Sequence, residues 1–340
     1  MSSNLIANDL PPAPRNPQGP APLRQPNSVR RTSSLDVTWP HGYGQPAHFQ
    51  GRSRDIYTPA SGGAPIVIKD DALIANLAQD RTIHDIASEP VRPGIQALVG
   101  CRGGGYLRGA LDEALPLERT DGSPLYLLID DLSGASLVSG WAWSRWKDDW
   151  LPKDYVQNDT AATREARRQR MESICTGFRP GSSALDDLDG HHQNFAAVPP
   201  LTNPDDPLGW HELTQHSGVA FRRARRIDAW REGDRIHIDV MFQDSATVPE
   251  GGRVAIHEYR IEAYADVRTL TLQSVTADPR ILPYPECPNA PSNVHRLIGT
   301  PLRELRTTVL EKLRRVDGCT HLNDALRSMA EVSILAQHLA

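Results

Sequence analysis

The clearest pattern lies in residues 219–340. In RIHIDVMF, Ile236, Ile238, Val240 and Phe242 alternate with His237, Asp239 and Met241, a period of two that predicts a strand with one buried face. FRRARRIDAW, VAIHEYRIEAYAD and TLTLQSVTA read as three more strands, with REGDR at 231–235 as a tight turn. After PYPECPNAP the period changes. Leu302, Leu305, Val309, Leu313 and Val316 recur at helical spacing over 301–316, with Thr300 placed as N-cap and Pro301 at the first helical position. Leu322, Leu326, Met329, Val332 and Ala336 do the same over 320–338. Strands followed by helices predict an α+β fold: a C-terminal antiparallel sheet with two helices on one face.

The pattern upstream is less regular, and residues 30–150 read as a mixed α/β region. LDVTWP and AHFQGRSRDIY are short strands, and IVIKDDALIANLAQDRTIHDIASEP passes from a strand into a partly helical stretch. A short helix is expected over 105–116, then two strands at 125–130 and 136–143 around a turn at Asp131-Leu132-Ser133-Gly134. Residues 151–218 read as a helix, 159–175, followed by a long Pro-, Gly-, Asp- and His-rich loop, a linker or a functional lid. Residues 1–29 are crowded with prolines and poor in large apolar side chains, so a disordered tail is expected there.

Composition narrows the class. The chain has 340 residues, 39% hydrophobic and 23% charged, with a net charge of −5. No apolar run approaches the roughly 18 residues of a membrane span. The N-terminus shows no basic start and apolar core of the kind a secretory signal has. A cytoplasmic protein with no membrane partner is the expectation. The net charge argues against nucleic acid, because Arg222-Arg223 and Arg225-Arg226 form a local cluster on a strand rather than a broad basic surface. Such arginines form a solvated face or pair with carboxylates. A small-molecule ligand is the expected partner, with homo-oligomerisation left open.

The four cysteines, Cys101, Cys175, Cys287 and Cys319, are scattered without a CxxC pair, so free thiols or metal ligands are expected rather than bridges. Cys287, Cys319 and His321 form the leading candidate site. Two thiolates and an imidazole suit zinc or iron, with a fourth position from His295, His257 or water. The helix starting near Thr320 would lower the pKa of Cys319, and His321 would double as a catalytic group. Two further catalytic candidates are Asp130, at the end of an apolar segment, and His192, in DDLDGHH after Asp186, Asp187 and Asp189. Against these stand plainer readings: a buried structural Cys287, a solvated His321 and a solvated acidic loop. CRGGGYLRG at 101–109 matches no phosphate-loop pattern and reads as a flexible turn. Trp141 and Trp143 suit a pocket wall or core packing.

PYPECPNA, LIGTPL and GCTHL together resemble a bacterial domain family of unknown function. The likeness runs upstream through RRARRIDAW, DPLGWHEL, ICTGF and PLYLLIDDLSGASLVSGWAW, covering most of residues 30–338. The C-terminal part also resembles the iron–sulfur cluster scaffold fold, whose two loop cysteines would fall on Cys287 and Cys319. The scaffold's third ligand cysteine has no counterpart here. Three functions follow as expectations: a metal-assisted lyase or hydrolase on a small aromatic or acyl substrate, a metal or iron–sulfur carrier or scaffold, and a non-catalytic ligand-binding protein.

Overall fold

The computed structural model describes residues 10–147, 160–190 and 192–339. Nine antiparallel strands form one sheet: β1 (Ser28–Thr38), β2 (Ala47–Thr58), β3 (Ile66–Leu77), β4 (Ile83–Glu89), β5 (Ala196–Val198), β6 (Ala220–Glu232), β7 (Arg235–Thr247), β8 (Arg253–Asp266) and β9 (Leu272–Ile281). They lie in the order β4-β3-β2-β1-β6-β7-β8, with β5 and β9 both paired to β8. The helices are α1 (Leu107–Ala114), α2 (Pro116–Thr120), α3 (Pro124–Val138), α4 (Ala161–Met171), α5 (Leu305–Lys312), α6 (Thr320–Ser328) and α7 (Val332–Leu335). The fold is α+β, and no helix among the described residues is long and apolar enough to cross a membrane.

The four C-terminal strands form as their alternation predicts, but the sheet does not stop at residue 219. β1 pairs with β6 from Ser28↔Trp230 to Thr38↔Ala220, so the segments expected as separate regions share one hydrogen-bonded ladder. Two expectations are corrected. Ile66–Leu77 is entirely strand. Residues 124–138 form one helix rather than a pair of strands, with the Ser123 hydroxyl accepting from the Tyr126 N–H and Pro124 opening the first turn. Leu125, Tyr126, Leu127, Leu128 and Ile129 are all buried. A helix covered on every side loses the polar stripe that signals its period, so its sequence reads like strand. The final helix is segmented, with a 3₁₀ turn at Met329–Glu331 between α6 and α7.

The Pro-rich segment from residue 10 onward is also not a free tail. Gln18 N–H donates to Glu258 Oε1 at 2.5 Å, Ala21 N–H donates to Leu201 O at 2.9 Å, and Arg24 pairs with Asp206 at 2.9 Å. Prolines favour extended backbone before docking and leave fewer N–H groups to satisfy. Together with residues 199–216 this segment covers one face of the sheet, where Ala21, Trp210, Ala224 and Met241 pack together. The helices α3, α6 and α7 lie on the other face.

The helix-side core has two apolar parts. Phe221, Leu35, Ala246 and Ile256 belong to one, with Leu125 and Ile129 of α3. Val29, Ile227, Phe242 and Tyr259 belong to the other, with Leu305, Leu322 and Leu326. Along each strand the residues between these two sets are polar: Arg31 on β1, Arg223 and Arg225 on β6, Asp244 on β7 and His257 on β8, all buried. A buried polar seam therefore crosses four neighbouring strands and divides the core.

Candidate metal centre

The seam's arginines are matched by acids from the helices and neighbouring strands. Arg31 grips Asp55 through two bonds of 2.6 Å and reaches Glu331 at 2.7 Å. Arg225 holds Asp131 at 2.8 and 3.0 Å. Arg223 holds Asp244 at 2.9 and 2.8 Å and meets Asp324 at 3.1 Å. Burial alone would lower the Arg223 pKa, but Asp244, Asp131 and Asp324 outweigh it and raise it. The RRARR cluster is thus one of buried ion pairs, consistent with the pairing alternative and not with a solvated face.

At the β8 end the seam becomes a group of two imidazoles and a carboxylate. Asp244 and His257 are direct cross-strand partners, and the ladder shifts immediately after them. α6 starts over this point, with Cys319 as its N-cap residue and His321 on its first turn. His321 Nε2 is 3.5 Å from Asp244 Oδ2. Its ring stacks on His257, with centroids 3.4 Å apart and planes 13° from parallel. On the other side, His321 Nδ1 has Thr320 Oγ1 at 3.3 Å and Cys319 Sγ at 3.9 Å. The ligand atoms of Asp244, His257 and His321 all lie within 4.8 Å of one another, and no other group of three His, Cys, Asp or Glu among the described residues does so.

Burial pushes both imidazoles well below the ordinary histidine range, helped by their mutual repulsion at His257 and by Arg223 at both. They are held neutral, the form in which a metal ligand must be. His257 Nδ1 is buried without a hydrogen-bond partner, an unmet need that a ligand would satisfy. Two imidazoles and a carboxylate suit zinc or ferrous iron with coordination positions left open. Arg223 on Asp244, and Thr320 beside His321 Nδ1, occupy the supporting positions that orient such ligands.

The predicted ligand set is reorganised. His321 and His257 meet, but His321 joins Asp244 rather than closing a site with Cys287 and Cys319. The two cysteines do share a neighbourhood, with Cys175 as an unforeseen third: each interacts with the buried Tyr259. A Cβ on Gly177 would stand 2.8 Å from Cys287 Sγ and 3.8 Å from Cys175 Sγ, so glycine permits this approach. The expected thiolate at Cys319 is not found. Burial raises its pKa despite the α6 N–H groups of His321 and Leu322, raises Cys287 further, and pushes Cys175 up to about 12. These are protonated thiols, Cys287 and Cys319 packed in the core and Cys175 half-buried beside them.

The other candidates fall elsewhere. Asp130 sits on α3, where Arg108, Arg306 and Arg327 hold it at 2.6, 3.1 and 2.5 Å. Burial opposes its ionisation, but these three cations keep its pKa well below the usual carboxylate range. That makes it an ionic hub and a poor proton acceptor. His192 is exposed, and its backbone N–H donates to Asp187; it takes no part in the triad. His191 lies outside the described residues. His295 is exposed on a 3₁₀ turn, its Nδ1 bound to Ser292 O at 2.7 Å. Trp141 and Trp143 are buried, Trp141 against Phe195 and Trp143 against Trp39 and Tyr43, which is core packing. Asp244 was missed, although the alternation of Ile236, Ile238, Val240 and Phe242 carries on to it, so a carboxylate continuing an apolar strand face was the signal; its pairing with His257 follows only from the β7–β8 register.

Neither a curated protein nor a solved structure matches the chain, so no known structure supports the likeness to the cluster scaffold. One family does match. Residues 221–335, from β6 to α7 and including Asp244, His257 and His321, match the family described as Protein of unknown function (DUF2889).

Proposed function

We propose that Asp244, His257 and His321 hold zinc or ferrous iron, and that the protein is a metal-assisted hydrolase or lyase acting on a small acyl or aromatic substrate. The observation that carries this reading is the convergence of two neutral imidazoles and a carboxylate within 4.8 Å, with His257 Nδ1 lacking a partner. A metal with open coordination positions would polarise a carbonyl or lower the pKa of bound water. The chain's own residues do the positioning: Arg223 orients Asp244, whose carboxylate favours the His321 proton on Nε2 in the metal-free protein, and Thr320 and Cys319 can accept from an Nδ1–H when a metal takes Nε2. The rings are stacked, whereas nitrogen lone pairs lie in the ring plane. A metal about 2.0–2.1 Å from each nitrogen therefore requires one ring to turn on loading.

A second reading uses the same residues without a metal. Cys319 Sγ, His321 and Asp244 lie in sequence at 3.9 and 3.5 Å, the nucleophile–base–orienter order of a thiol hydrolase. The raised Cys319 pKa and its burial favour the metal.

Elemental analysis of untagged protein purified without oxygen separates the two. The metal reading expects about one zinc or iron per chain, lost in folded Asp244→Asn and His257→Ala variants, with Cys319 slow to alkylate. Protein that neither carries nor takes up zinc or iron, or variants that keep it, would overturn the centre. Rapid alkylation of Cys319 in metal-free protein would establish the thiol reading instead.

A further inference from the structure

On the face opposite the triad a cavity of about 580 Å³ opens between the 198–215 segment and the sheet. The two sites share strands but not faces. Arg223 and Asp244 point to the helices, while their chain neighbours Arg222 and Gln243 line the cavity, as the alternation of strand side chains requires. Trp210, Leu201, Leu208 and Leu213 make its apolar wall.

Its charge balance is unlike that of the rest of the sheet. Six of the seven arginines of β1 and β6 hold a carboxylate: Arg30 with Asp228, Arg31 with Asp55, Arg222 with Asp36, Arg223 with Asp244, Arg225 with Asp131, and Arg226 with Asp228 and Asp239; the seventh, Arg231, is exposed at the end of β6 and bonds Gly233 O. Two arginines of the cavity wall hold no carboxylate. Arg253 bonds only the Ser245 hydroxyl and carbonyl, both at 3.0 Å. Arg54 donates to Leu208 O at 2.8 Å, and its Nε is buried with no acceptor. Trp210 Nε1, in the same wall, is also buried without an acceptor. The one lining acid is Glu212, which is exposed. Asp36 acts on Arg253 from nearby but is held by Arg222 at 2.5 Å and His216 at 3.2 Å. His211, bound through its ring nitrogens to Thr32 and Ser34 at 2.8 Å, carries no charge at neutral pH because burial lowers its pKa to about 3. Burial, with Arg222, lowers Arg253 to about 9 against the pull of Asp36, and burial, with Arg52 and Arg24, lowers Arg54 against the pull of Asp70 and Asp206; neither arginine has a carboxylate in ion-pair contact.

We infer that this cavity binds a small organic acid, its carboxylate paired with Arg253 or Arg54 and its apolar body against Trp210 and the leucines. Surplus donors with no acceptor, in a concave and partly apolar site of ligand size, call for an acceptor-rich anion. The inference is independent of the metal centre.

Calorimetric titration of the full-length protein tests it, with benzoate and octanoate as probes, benzamide and octanamide as uncharged matches, and inorganic phosphate as the anion without an apolar body. At least one carboxylate should bind with a Kd below about 1 mM, at least about tenfold tighter than its amide and than phosphate. Arg253→Gln or Arg54→Gln should weaken it about tenfold or more without lowering the unliganded Tm, since each removes an uncompensated charge. No binding by either carboxylate, equal binding of acid and amide, phosphate as tight as the acids, or unchanged affinity in both variants would overturn the inference. If a variant does not fold, the acid–amide comparison in the unaltered protein still decides.

Discussion

His321 lies flat on His257, ring centroids 3.4 Å apart, while its Nε2 looks toward Asp244 at 3.5 Å. One helix tip and two neighbouring strands therefore meet at a stack of uncharged imidazoles, pressed beside the Arg223–Asp244 ion pair. The stack is held from the helix side, where Thr320 and Cys319 face His321 Nδ1.

This arrangement predicts the tautomer. In metal-free protein at neutral pH, nitrogen NMR should find the His321 proton on Nε2, facing the Asp244 carboxylate, and zinc should move it to Nδ1 as Nε2 becomes the ligand. A proton on Nε2, unmoved by zinc, would contradict the assigned roles.

Asp130 should matter for stability and not for metal binding. Asp130→Ala leaves Arg327 and Arg306 in a buried site without one of their acids. Urea unfolding should show a loss of about 3–5 kcal/mol, with metal stoichiometry unchanged in protein that remains folded. A cost under about 1 kcal/mol would mean that the three-arginine hub is not formed in solution.

Acid should weaken the fold through His211. Burial, reinforced by Arg54, Arg52 and Arg222, lowers its pKa from 6.5 to about 3. The unfolded chain therefore binds more protons than the folded one between these values, and stability falls as pH falls from 6.5 toward 3. From pH ~6.5 to pH ~4.5 this group should account for about 2–3 kcal/mol of lost stability. His211→Gln should flatten the pH dependence over that window, and parallel curves for the variant and the unaltered protein would disprove the assignment.

Gly177→Ala should be destabilising by about 1–3 kcal/mol, because its Cβ would press on Cys287 Sγ in a packed core. Adding Cys287→Ala to that variant should recover part of the loss, a coupling that chemical denaturation of the two single variants and the double variant measures. Strict additivity would show that the two residues are not in contact.

The alternation in RIHIDVMF and the helical spacing after residue 300 were sufficient to place four strands and the α5 and α6 region, because a half-buried strand and an amphipathic helix write their period into adjacent residues. GCTHL was readable as a helix start for the same reason. What GCTHL faces was not readable. His321 finds Asp244 and His257 through strand register and helix packing, and Cys175 joins Cys287 and Cys319 across more than a hundred residues of chain. α3 reads as strand because it is covered on all sides, and the Pro-rich segment reads as disordered because its partners, Glu258, Leu201 and Asp206, are remote in sequence. Local pattern determined which residues form most of the strands and helices. Only the tertiary structure decided which charges are paired and which are left open, because a buried charge's partner is set by position across the sheet, not by its neighbours along the chain.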